Sequence, residues 1–160
     1  MPTQNQQDLE FLDQAIELAI SSAQSSGGPF GAIVVKDGKI IGKGHNQVTK
    51  NCDPSAHAEI MAIREACKNI NDFHLSGCTI YSSCEPCPMC MSAIYWAHIP
   101  KLIYAATAHD AAQAGFNDEF IYQELAKPYA QRNMQIQHIE HDLANKSFAE
   151  WLVNESRKDY

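Results

Sequence analysis

Two short stretches carry residues that could do chemistry: DPSAHAE at Asp53–Glu59 and SCEPCPMC at Ser83–Cys90. Positions two apart on a helix point to nearly opposite sides, so His57 and Glu59 can share a target only if it lies off a helix N-terminus. Cys87 and Cys90 are three apart and follow Pro86, so they share a face in the first turn of a second helix. Two helix starts aimed at one point would surround it with one imidazole and two thiolates and leave a fourth position open. That is the ligand set of a catalytic zinc rather than a closed structural one. The positive ends of the helices favour thiolate, and Glu59 is left beside the metal as a proton carrier. One Zn2+ per chain, with a bound water or hydroxide as nucleophile, follows. His-x-Glu followed by Pro-Cys-x-x-Cys is the signature of zinc deaminases of nucleobases.

Cys84 competes as a ligand, because Cys84, Cys87 and Cys90 are evenly spaced. It precedes the predicted helix, and a fourth protein ligand would close the site. Cys52, Cys67 and Cys78 read as packing residues. The other histidines lack a comparable context.

The elements that must position these residues follow from periodicity. Leu9, Leu12, Ile16 and Ala19 predict a helix over Gln7–Ser22. Ala32–Val35 and Lys39–Ile41 read as strands joined by Asp37-Gly38, a hairpin signal. Asn46–Pro54 reads as a loop, followed near Ser55 by a helix turning Ile60, Ile63 and Cys67 inward. Thr79–Ser82 is a third strand, and a helix runs from Pro86 to about His98. Lys101–Thr107 is a fourth strand, then come a loop and a helix over Glu119–Ala126. Gln135–Ile139 is a fifth strand and Phe148–Arg157 a last helix. The order predicts one α/β domain over 1–160, a five-stranded mixed sheet with helices on both faces. Gly27, Gly28 and Gly31 suit a tight entry turn; no helix N-terminus follows them to receive a phosphate.

Composition narrows the partners. Among 160 residues, 45% are hydrophobic and 19% charged, fitting a globular fold. The apolar runs are too short for a membrane span, and the polar N-terminus lacks a signal-peptide pattern, which places the protein in the cytoplasm. Six cysteines there read as metal or catalytic rather than disulfide. A net charge of −7 without a basic cluster argues against a nucleic-acid partner.

With these residues in view, the chain resembles the cytidine/deoxycytidylate deaminase superfamily and, within it, the bacterial guanine deaminase family. The resemblance rests on GGPFGAIVVKDGKII, GHNQVT, DPSAHAEIMAIREAC, YSSCEPCPMCMSAIYWA, YAATAHDAAQAGFNDEFIY and the terminal Lys158-Asp159-Tyr160. It implies a three-layer αβα sandwich and hydrolysis of guanine to xanthine and ammonia in purine catabolism or salvage. It also implies a homodimer whose segment of about 145–160 is exchanged between subunits. By the same resemblance Asn46 holds the purine edge, Phe30 and Trp96 wall its faces, and Asp118 assists Glu59 in proton movement. Tyr160 reaches a neighbouring active site. Each residue has a plainer alternative. Asn46 could stabilise a turn, Phe30 and Trp96 could be core, Asp118 could cap a helix, and Tyr160 could be a frayed end. Three rival functions remain: a tRNA adenosine deaminase, a deaminase of another base, and a non-catalytic structural zinc protein.

Overall fold

The computed structural model of the chain describes residues 3–159, so Tyr160 lies outside the described residues. They fall in two compact units, Met1–Tyr122 and Gln123–Tyr160. The first unit opens with α1 (Gln4–Ala23), started by a capping box between Thr3 and Gln6. Strands β1 (Gly31–Lys36) and β2 (Lys39–His45) follow, then the one-turn α2 (Val48–Asn51) and α3 (Ala58–Ile70). Next come β3 (Cys78–Cys84), α4 (Pro88–Trp96), β4 (Lys101–Ala106) and α5 (Ala108–Gln113), with α6 (Asp118–Ala126) leading into the second unit. Asp37 and Gly38 both have positive φ, at 49° and 73°, the conformation that a type I′ hairpin turn requires.

The sheet order is β2-β1-β3-β4. β1 runs antiparallel to both its neighbours, and β3 and β4 are parallel, joined by α4 as the crossover. Phe11, Leu12, Ala15 and Leu18 of α1 cover Ile33, Val35 and Tyr81 on one face. Helices α3 and α4 cover Ala32, Val34 and Ile80 on the other. Helices on both faces of an α/β sheet were expected; five strands were not found. The described residues form four strands, and 135–139 is irregular, with Ile139 72% exposed. β-Branched residues such as Ile136 and Ile139 cannot hold a strand that no neighbour pairs.

Two apolar stripes are also rotated from those expected. Leu9 of α1 faces solvent. In α3 it is Ala58, Ala62 and Ala66 that are wholly buried, whereas Ile63 and Cys67 flank the core half-buried. The cause lies on β2. A Cβ on Gly44 would stand 2.1 Å from the Ala58 carbonyl oxygen, and one on Gly42 2.3 Å from that of Ala62. Glycine facing alanine lets α3 approach β2 closely, so small residues win the inner face. Gly44→Ala is therefore expected to cost about 1–3 kcal/mol of stability by overpacking, read from urea unfolding. Because α3 carries His57 and Glu59, zinc affinity should fall with it.

Pro88, not Pro86, occupies the first turn of α4. α5, expected as loop, is started by a capping box between Thr107 and Asp110. In the second unit a 3-10 turn at Tyr129–Gln131 follows α6, and α7 spans Lys146–Val153. Arg132 caps α6 by donating to the Leu125 and Lys127 carbonyls and stacks over Tyr129. Among the described residues no helix is long and apolar enough to cross a membrane.

Candidate active site

His57 is the N-cap of α3 and Cys87 the N-cap of α4, both in extended backbone. Neither side chain caps its own helix, so imidazole and sulfur are free to turn toward a common point. Cys90, one turn into α4 and wholly buried, joins them, and the ligand atoms of the three lie within 4.8 Å of one another. His57 Nδ1 and Cys87 Sγ are 3.6 Å apart. A tetrahedral zinc with ordinary bond lengths to nitrogen and sulfur spaces such a pair about 3.6 Å apart, so the residues fit the ion.

The electrostatics agree. A hydrogen bond from Cys90 and another with His57 hold the Cys87 thiol down at about 4, against the cost of burial. The bond to Cys87, and burial, push Cys90 above the ordinary thiol range. One sulfur is thus an anion sharing its partner's proton. A divalent cation in place of that proton lets both ligate. Cys84 is elsewhere: its Sγ donates to the Thr107 carbonyl at 3.5 Å, and burial raises its thiol to about 11. Among the described residues, it is not one of the three whose ligand atoms group together. Cys52, expected to pack, is exposed.

Glu59 is 5% exposed and sits just inside α3. Burial, with the Cys87 thiolate beside it, raises its proton affinity above that of an ordinary carboxyl. Its Oε1 accepts from Ser82 Oγ at 3.1 Å. Asp118 also binds its proton more tightly than usual, through burial and then the Cys87 thiolate. The cap of α6 is Asn117, whose Oδ1 accepts from the Phe120 amide, so the Asp118 carboxylate is not spent on capping.

His57, Glu59, Cys87 and Asp118 open onto one cavity of about 390 Å3, a size suited to a small molecule. Asn46, Phe30, Phe116 and Glu85 also line it. Asn46 is buried and its Oδ1 accepts from the Gly28 and Val48 amides at 3.4 and 3.3 Å. It therefore does fix a turn while facing the cavity, and its Nδ2 remains as the donor. Phe30 packs edge-on against Phe116, ring centres 4.8 Å apart. No Lys or Arg is among the lining residues, but three carboxylates are. Trp96 is not brought to this cavity: it ends α4, 66% exposed. Tyr160 lies outside the described residues.

Sequence reasoning missed three residues here. Phe116 lies in the AGFNDEF stretch but was given no role, although an aromatic beside Asp118 was a usable signal. Glu85, which anchors the start of α5 by accepting from the Ala108 amide, directly precedes the Pro-Cys-x-x-Cys motif. Ser82 carried no signal, being one more small residue in a buried strand.

Residues 5–106 match the family model for the cytidine and deoxycytidylate deaminase zinc-binding region. The chain is 46% identical over 151 residues to guanine deaminase of Bacillus subtilis (strain 168), covering 94% of this chain and 97% of the relative. It is 45% identical over 96 residues to tRNA-specific adenosine deaminase of Aquifex aeolicus (strain VF5), covering 60% of this chain and 64% of that one. The X-ray structure of the Bacillus subtilis guanine deaminase superposes with a TM-score of 0.92 over 94% of this chain and 97% of that chain, at 46% identity.

Proposed function

This chain belongs to the cytidine and deoxycytidylate deaminase zinc-binding family, and from that premise we propose that it hydrolyses guanine to xanthine and ammonia. The observation that carries the reading is a buried carboxyl, Glu59, opening with His57 and Cys87 onto one cationless cavity. Similarity to a guanine deaminase along nearly the whole of both chains supports the choice of base.

His57, Cys87 and Cys90 would hold zinc, which when bound would supply Lewis-acid activation of water. Glu59 takes one proton from the attacking water and hands it to the ring nitrogen beside C2; it then takes the second proton from the same oxygen and passes it to the amino group, so that C2 keeps the oxygen and ammonia leaves. The burial of Glu59 suits the role, because a carboxyl with raised proton affinity is a stronger proton acceptor than an ordinary carboxylate and can still return the proton. Asp118, at the cavity wall and with proton affinity raised by burial, assists Glu59 in moving a proton to the leaving amine. Asn46 offers Nδ2 to an acceptor on the purine edge, and the Phe30–Phe116 pair offers an apolar wall to its ring. The same wall and three carboxylates disfavour phosphorylated ligands. With the acidic chain, this argues against the tRNA reading, since a stem-loop partner needs Lys and Arg to displace counterions.

The protein works in the cytoplasm as a homodimer, its C-terminal segment of about 145–160 exchanged between subunits. Exposed Leu143, Phe148, Leu152 and Val153 in the second unit support a second copy as their cover. Zinc-loaded protein is expected to form one xanthine and one ammonia per guanine consumed, followed by ultraviolet absorbance. No loss of guanine would overturn the assignment.

A further inference from the structure

Ser82 is the only side chain of β3 seen to reach Glu59: its Oγ donates to Oε1 at 3.1 Å. Ser82 is 2% exposed and Glu59 5%, so no solvent molecule can readily take over this bond. The two groups come from opposite sides of the site. Glu59 rides on α3, while Ser82 is fixed in the middle of the sheet, paired with Ala32 on one side and Tyr104 on the other. Among the described residues, the Glu59 carboxyl also meets its own amide and the Cys90 thiol, one local and one drawn toward the metal site. Among the described residues, Ser82 is the contact seen to tie this carboxyl to the rigid sheet.

From this we propose that Ser82 is a positioning residue. By holding Oε1 against β3 it sets the carboxyl rotamer and leaves the other oxygen aimed into the cavity. A carboxyl that must take a proton from water and return it to two different atoms needs its reactive oxygen held to a fraction of an ångström, and small misplacements cost heavily in rate. Removing the hydroxyl would also leave a buried carboxyl oxygen short of a donor, which favours rotation away from its place. This inference rests on the guanine reading for its rate effect but not for its geometry.

The test compares Ser82→Thr with Ser82→Val, two variants of one shape that differ in the hydroxyl alone. Each adds the same bulk to a buried strand position, so any packing cost cancels between them. Ser82→Thr is expected to keep most of the wild-type kcat on guanine, whereas Ser82→Val falls roughly tenfold or more below it. KM and bound zinc should be alike in the two. A second readout needs no turnover: the carboxyl band of Glu59, identified by infrared difference against Glu59→Gln, should shift in Ser82→Val and stay in place in Ser82→Thr. Equal kcat values with an unmoved band would overturn the proposal, as would a loss in Ser82→Val that appears in KM or zinc content instead of kcat. A shifted band in a protein that leaves guanine untouched would sustain the positioning role and overturn the substrate assignment.

Discussion

Glu59→Gln is expected to lower kcat for guanine by at least ~10²-fold, and up to ~10⁴-fold, while the protein keeps its zinc and its fold. The amide is nearly isosteric and can still accept from Ser82 Oγ, so the packing around this buried position survives. What it cannot do is hold and release a proton. The effect is expected in kcat, because the contacts proposed for guanine are Asn46 and the aromatic pair rather than this carboxyl. Zinc content measured beside the rate separates this account from a structural zinc site. A metal that merely joins α3 to α4 would leave Glu59 dispensable, and activity would then be unchanged in the zinc-loaded variant.

Cys90→Ser attacks the same centre from the metal side. Cys90 is wholly buried at the first turn of α4, with its thiol bonded to Cys87 and beside Glu59. A hydroxyl there is a poor zinc ligand, and the two remaining residues cannot complete the set. Zinc affinity should fall more than ~100-fold, beyond the loss seen when only an outer-shell partner is removed. Deamination should vanish at ordinary zinc concentrations. Because ligand binding stabilises the folded state in proportion to its affinity, melting in the presence of zinc should drop as well. Cys84→Ser provides the contrast. Its thiol bonds to the Thr107 carbonyl away from the three ligand atoms, so zinc content should hold. Metal lost equally from both variants would return Cys84 to the ligand set.

The metal triad and Glu59 were legible because helix geometry turns spacing into direction: two residues across an N-cap, and three residues along a first turn, leave little freedom. Both layers of helices and the Asp37-Gly38 turn were legible for similar reasons. What sequence could not supply was set by tertiary packing. The inward face of α3 was misjudged because hydrophobicity alone prefers Ile63 and Cys67. The close approach of Gly42 and Gly44 instead reserves that face for alanines. The stretch 135–139 carries the β-branched Ile136 and Ile139, yet pairing needs a neighbour that local sequence does not reveal. Trp96 resembled a pocket aromatic by its place in a motif, but it sits at the far end of the helix whose first turn carries the ligands. Ser82 escaped notice because its importance lies in what stands opposite it, 23 residues away in the chain.

The most direct measurement is ammonia release by purified, zinc-loaded protein from equal concentrations of guanine, adenine, cytosine and guanosine. The account predicts rapid release from guanine and little from the other three, with xanthine formed in equal amount. Silence on guanine, with ammonia released from adenine or cytosine, would contradict the assignment of the base while leaving the zinc site and Glu59 in their roles. Silence on all four would contradict the account at its centre.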